Sequence, residues 1–318
     1  MLQQQTSYLQ VKDVNDMEEL PLAIACKNRP SEIRVELCLA QAPNLDDEMQ
    51  KSIASVLSAA LSEYGALGLA ALPARPGRYS AGLLLTPSGL APGENGQPGL
   101  SLTFGDSAIP PDDLDMLQSL SQTWQWDEAE EVVPQARFRI TLRSINSLDL
   151  PLNERIGLVQ KALYALVGLL RPEALIFPQS QCCIEPSSYL ENDPAGEDYF
   201  CIYGLVNARV FTAEEDDEQS VFMDTLGLHV LGLPDAQCLV SDSETDFADL
   251  AFWLYNLAEY MRETPGSFED GDIIVGLNEE EWELDYSAAL IEPERCVLNV
   301  STMQAGLDDL EFIEEEPE

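Results

Sequence analysis

The stretch Met223–Asp235, MDTLGLHVLGLPD, constrains this chain more than any other. Two Leu-Gly-Leu repeats, Leu226-Gly227-Leu228 and Leu231-Gly232-Leu233, flank the single histidine and run into Pro234-Asp235. Apolar residues there alternate with glycines that admit a positive φ or a close backbone approach, so the stretch reads as a packing element. The segment Asp246–Arg262 follows it and sets Phe247, Leu250, Leu254, Leu257, Ala258 and Met261 on one helical face, which Trp253, Tyr255 and Tyr260 enlarge. That is the pattern of a core helix. Gly227, His229, Gly232, Pro234 and Asp235 are accordingly expected to be structural. His229 stands without a second histidine, a cysteine motif or a Gly-rich phosphate loop, so a hydrogen-bonded structural histidine is expected and no catalytic residue is assigned.

Upstream, the first 30 residues read as a lead-in. Ile33–Leu39 alternates with period two, as a half-buried strand does. A helix follows, capped by Asn44 or Asp46 and stopped by Gly65. Leu67–Leu72, Ala81–Thr86 and Leu100–Phe104 read as strands, with a loop rich in glycine and proline at Pro87–Gly99 that lacks phosphate-binding spacing. A helix capped near Asp112, a strand over Arg137–Leu142 with its arginines solvated, a long helix over 153–170 and a strand at Ala174–Phe177 complete the first half. The order predicts an α+β fold with antiparallel or mixed sheets and helices packed on one side, and it admits two subdomains of similar size. The divisions expected are a lead-in at 1–30, an N-terminal subdomain at 31–190, a C-terminal one at 191–305 after the composition shift at Glu191–Asp198, and an acidic disordered tail at 306–318. In the second half, strands are expected at Tyr199–Phe211, Trp282–Tyr286 and Cys296–Val300.

Charge narrows the function. Sixteen basic residues against 57 acidic ones leave a net charge of −41, and residues 151–318 hold 37 of the acids and only 6 of the bases. Such a surface repels nucleic acid and anionic membrane and steers a cationic protein toward it. The N-terminus MLQQQTSYLQVKDV lacks the pattern of a secretory leader, and the seven cysteines show no CxxC or zinc spacing. A cytoplasmic protein with reduced, buried thiols is expected, Cys182-Cys183 included, with no cofactor and no metal site.

Asn207-Ala208-Arg209-Val210-Phe211, Thr225-Leu226-Gly227-Leu228, Leu231-Gly232-Leu233-Pro234-Asp235, the helix carrying Leu254–Tyr260, Asp270-Gly271-Asp272 and Pro293-Glu294-Arg295 together resemble a bacterial family known only as domain of unknown function 4261. The resemblance spans about 200–300, with the helix at 153–170 fitting the family's weaker upstream half. It implies a fold and no reaction. Association of such families with toxin genes implies an immunity protein or antitoxin, so the first reading is a binding protein that covers a cationic partner. Its candidate docking residues are Glu214, Glu215, Asp216, Asp217 and Glu218 at a hairpin tip, and Glu279, Glu280, Glu281, Glu283 and Asp285 near the final strands. The alternatives are a metal-assisted hydrolase using carboxylate clusters, although Asp270-Gly271-Asp272 lacks the other ligands of a calcium loop, and a homo-oligomeric scaffold joined through an open edge at 137–142. Oligomeric state is left open.

Overall fold

In the computed structural model, which describes residues 28–43, 45–77, 79–105, 107–215, 218–241 and 246–302, the chain divides into two units. One is Ser31–Leu205; the other joins the residues up to Pro30 with those from Val206 onward. The expected acidic tail and the lead-in before residue 28 lie outside the described residues.

The first unit runs β1 (Arg34–Leu39), α1 (Asp47–Ala60), β2 (Leu67–Leu72), β3 (Ala81–Pro87), β4 (Gly99–Phe104), α2 (Leu114–Ser121), α3 (Ala129–Val132), β5 (Phe138–Ile145), α4 (Leu152–Leu170), β6 (Ala174–Phe177), β7 (Cys182–Ile184) and α5 (Pro186–Glu191). Its sheet has the order β2-β3-β4-β5-β1-β6-β7 and every pairing is antiparallel. Asp46 starts α1 by accepting the Met49 N–H at 2.9 Å, satisfying a donor the helix cannot. Helices α1 and α4 pack together and bury Ile53, Leu57, Ile156, Leu163 and Val167, while Val35, Leu37, Ile140 and Leu142 are buried on the central strands.

Strand β5 departs from expectation twice. It lies between β4 and β1, so it offers no open edge for oligomerisation; the long-range pairing that places it inside leaves no trace in its own sequence. Arg137 and Arg143 are exposed as expected, but Arg139 is not simply solvated. α2 brings Asp113 to 2.5 Å from Arg139, which also reaches Glu36 of β1 at 2.8 Å, and Arg34 pairs with Asp115. Burial raises the Glu36 carboxyl above its ordinary value despite Arg139 and Arg34.

The unit continues past 191–198 to Leu205. Gln160 of α4 donates to the Cys201 and Tyr203 carbonyls at 2.9 Å each, and Ser180 Oγ donates to the Gly204 carbonyl at 2.6 Å. Asn192 and Phe200 exchange hydrogen bonds at 2.8 and 2.9 Å. Residues 199–205 are therefore irregular backbone tied to the first unit, and the strand expected from Tyr199 begins only at Asn207.

The second unit contains β8 (Asn207–Glu215), β9 (Glu218–Leu226), α6 (Leu228–Leu231), β10 (Asp235–Ser241), α7 (Phe247–Glu263), β11 (Asp272–Val275), β12 (Glu281–Ala288) and β13 (Cys296–Thr302). The sheet order is β11-β12-β13-β10-β9-β8, and β10 with β13 is its parallel pair. Register places Val210, Met223, Cys238, Val300 and Leu284 in one row on one face. Helix α7 packs on β8, β9 and β10, with Leu250, Leu254 and Ala258 buried and Trp253 edge-on to Trp282 at 4.7 Å. The fold is α+β, with one antiparallel and one mixed sheet.

Both glycines of the Leu-Gly-Leu repeats have positive φ, 138° at Gly227 and 88° at Gly232. A Cβ on Gly232 would also meet the Pro30 ring at 3.3–3.5 Å. Gly232→Val is expected to cost about 1–3 kcal/mol through backbone strain, read as a lowered melting temperature; an unchanged one would show the glycine is incidental.

Among the described cysteines, Cys38, Cys182, Cys183, Cys201 and Cys238 are free thiols. Cys296 is disulfide-bonded, against the expectation of a free thiol throughout. Spacing along the chain reports local motifs such as CxxC and carries no information on a pairing between distant segments. Burial raises the Cys183 thiol far above its ordinary value, which makes the Cys182-Cys183 pair a poor source of thiolate. Among the described residues no helix is long and apolar enough to cross a membrane.

Candidate functional site

On the sheet face opposite the row headed by Val210, Arg209, Asp224, Gln237, Asn299 and Asp285 stand in register across five strands. Polar side chains in such a row must find partners or water. Asp224, fully buried, accepts Arg209 Nε at 2.8 Å and Nη2 at 2.5 Å as a bidentate fork, and Arg295 Nη2 at 2.6 Å. Arg209 Nη1 donates to the Glu292 carbonyl at 3.0 Å, and Leu290 N–H to Gln237 Oε1 at 3.1 Å. The loop between β12 and β13 thus lies over this end of the row.

Arg295 has five N–H groups and five acceptors. Besides Asp224 they are Asp235 Oδ2 at 3.0 Å, the Ile291 and Pro293 carbonyls at 2.8 and 2.9 Å, and the Thr225 carbonyl at 3.2 Å. Asp235 opens β10 and gathers the LGLHVLGLPD turn. It accepts Leu228 N–H at 2.9 Å, His229 N–H at 3.3 Å and Thr225 Oγ1 at 3.3 Å, and His229 Nδ1 lies 2.9 Å from its Oδ2. An ionised carboxylate there requires Nδ1 to carry the proton. The arrangement is an Asp–Arg network in which His229 orients a turn.

Burial alone would raise the Asp235 carboxyl, but the His229 hydrogen bond, the Arg295 and His229 charges and the Leu228 N–H outweigh it and hold it below its ordinary value. A carboxyl depressed in the folded state stabilises above its unfolded value, about pH 3.9, and that contribution disappears as pH falls through the folded value. Asp235→Asn should therefore flatten the acid limb of the stability curve below about pH 4; a limb as steep as that of the parent would assign acid loss to other groups.

The expected docking residues separate. Glu281, Glu283 and Asp285 alternate along β12 on the face of the polar row, and their cross-strand neighbours are Val275, Ile273, Ser301 and Asn299, none of them basic. Glu279 and Glu280 are exposed on the turn that precedes β12. Glu215 pairs with Glu218 at the end of the β8–β9 hairpin, with Glu214 opposite Gln219. Asp216 and Asp217 lie outside the described residues. The β8–β9 hairpin and β12 belong to opposite halves of the sheet, with β9 three strand steps, or roughly 14 Å, from β12. Among the described residues no group of three or more His, Cys, Asp or Glu is placed to hold a metal ion.

In the first unit, an open cavity of about 570 Å³ is walled by the Gly/Pro-rich loop with Glu63, Tyr64, Asp149 and Glu154. Two of its carboxylates are engaged locally: Asp149 accepts the Glu94 N–H at 2.9 Å, and Glu63 pairs with Lys161. An acid-lined cavity suits no phosphate.

Sequence patterns do not foretell the buried network. Arg209 and Arg295 stand out there only as parts of a resemblance, yet a signal is present, since arginines isolated in so acidic a half need internal partners once buried.

Residues 224–301 match the family described as a domain of unknown function, DUF4261. The matched span contains Asp224, Thr225, His229, Asp235, Arg295 and Asn299, while Arg209 and the helix at 153–170 lie outside it. No curated protein and no solved structure matches the chain.

Proposed function

We propose that this chain is a non-enzymatic binding protein whose second unit takes a cationic protein on its acidic face, as an immunity protein or antitoxin takes a basic bacterial toxin or effector. The observation that carries the reading is where the cations go. Between residues 206 and 302 the sequence has three basic side chains besides the histidine, Arg209, Arg262 and Arg295. Each is buried and ion-paired within the unit, to Asp224, to Glu259 and Glu263, and to Asp224 and Asp235 respectively. Among the described residues of this unit the exposed basic side chain is Arg29, in the segment before the first unit, so an approaching partner meets carboxylates with little positive charge to offset them, which favours a basic surface in both encounter rate and specificity. Of the two acidic groups, the stripe Glu281, Glu283 and Asp285 is the better dock, because β12, paired with β11 on one side and β13 on the other, holds its spacing.

The proposal places the protein in the cytoplasm, where the free thiols are at home; the disulfide at Cys296 is the feature that favours an oxidising compartment. The test mixes the protein with the products of neighbouring reading frames. A basic product should bind with an affinity that falls as salt rises, and reversing Glu281, Glu283 and Asp285 together to Lys should slow association at least about tenfold with little change in melting temperature. A complex indifferent to both salt and the reversal would overturn the reading.

A further inference from the structure

We propose that Asn299 and Asp285 form an arginine-selective anchor on this face, an inference that rests on the binding reading and names the chemistry of its contact. The row from Arg209 to Asp285 changes character along its length. Arg209, Asp224 and Gln237 are buried and matched by the loop over them. Asn299, next in register, is only 9% exposed, and its Oδ1 is buried without a donor among the described residues. Folded proteins seldom leave such an oxygen unmatched, because it has given up water for nothing. Directly across the strand pair stands Asp285, which is exposed.

A carboxylate and an amide oxygen on neighbouring strands have their Cβ atoms roughly 5 Å apart. A guanidinium fits that pair, since its planar fork directs separate N–H groups to two acceptors; an ammonium is satisfied by the carboxylate and its own water. The Asn299 amide turns about its terminal torsion, a soft one, to bring its oxygen to a donor arriving above Asp285. Beside this pair, Glu283 continues the acidic stripe, and Ile273 and Val275 on β11 are 53% and 68% exposed. The occupant is therefore an arginine-bearing segment of a basic protein, with apolar side chains that cover Ile273 and Val275.

The experiment uses the full chain and two synthetic peptides of equal length and charge, one alternating Arg with Val and the other Lys with Val, titrated calorimetrically at low and high salt. The arginine peptide should bind about tenfold more tightly, the usual worth of a charge-assisted hydrogen bond. Asn299→Leu should keep the melting temperature and bring that ratio close to one without weakening the lysine peptide, and Asp285→Asn should weaken both peptides. If Asn299→Leu does not fold, Asn299→Val is read the same way. Equal affinity for both peptides in the parent, or a preference that survives loss of Asn299, removes the anchor while leaving the acidic-face reading intact. Absence of any salt-sensitive binding removes the acidic-face reading itself.

Discussion

Asp224→Ala is expected to cost roughly 3–5 kcal/mol, enough to unfold the second unit at modest denaturant. Asp224 is fully buried and holds two guanidiniums, those of Arg209 and Arg295, whose side chains are 2% and 1% exposed. Its removal leaves two positive charges in a low dielectric with a single carboxylate, Asp235, between them. Desolvation that was offset by close pairing then stands uncompensated. Replacing Asp224, Arg209 and Arg295 together by apolar residues of similar volume should recover much of the loss, since the penalty lies in the broken pair more than in the absence of charge. Two units need not unfold together, so the transition should be followed through Trp253 and Trp282, which both belong to the second. A loss under about 1 kcal/mol would mean that water reaches the arginines.

Leu254→Ala should cost about 2–5 kcal/mol. Leu254 is fully buried on α7, between Leu250 and Ala258 on the face that meets the sheet. Truncation loses the transfer energy of its methyl groups and leaves a hole that a sheet on one side and a helix on the other cannot close. Phe252, two residues away and 69% exposed, is the internal control: Phe252→Ala should change stability by less than about 0.5 kcal/mol. Similar losses at both positions would put the helix in a different rotation.

Leu254 and Asp224 stand at opposite ends of what the amino-acid sequence makes legible. α7 announces itself because its apolar positions repeat with the helical period, and α4 does so for the same reason. Strand β5 is recognisable as a strand but not as a central one, because alternation reports a half-buried face and says nothing of neighbours. Strand β11 is invisible to such patterns: four residues, half of them exposed apolar, carry no usable period. The Asp–Arg network is hidden for another reason. Arg209, Asp224, Asp235 and Arg295 meet only through register across β8, β9 and β10 and through a loop returning from β12, and no local rule encodes a contact between 209 and 292. The acidic stripe is half legible. Its residues can be named from composition, while the separation of the β8–β9 hairpin from β12 depends on the strand order.

Asn28 donates to the Leu233 and Cys296 carbonyls at 2.7 and 3.0 Å and accepts the Cys296 N–H at 2.9 Å. The second unit therefore begins before the first and finishes after it, with Ser31–Leu205 inserted in its chain. Order of synthesis follows. The inserted unit has every strand of its sheet once residue 184 has left the ribosome, and it can fold while translation continues. The outer unit must wait: Arg209 and Asp224 acquire Arg295, and β10 its parallel neighbour, only when the last strand emerges. Until then its carboxylates and apolar faces stand open, and a nascent chain arrested before Cys296 would present a finished inner unit beside an outer one that has no folded state to reach.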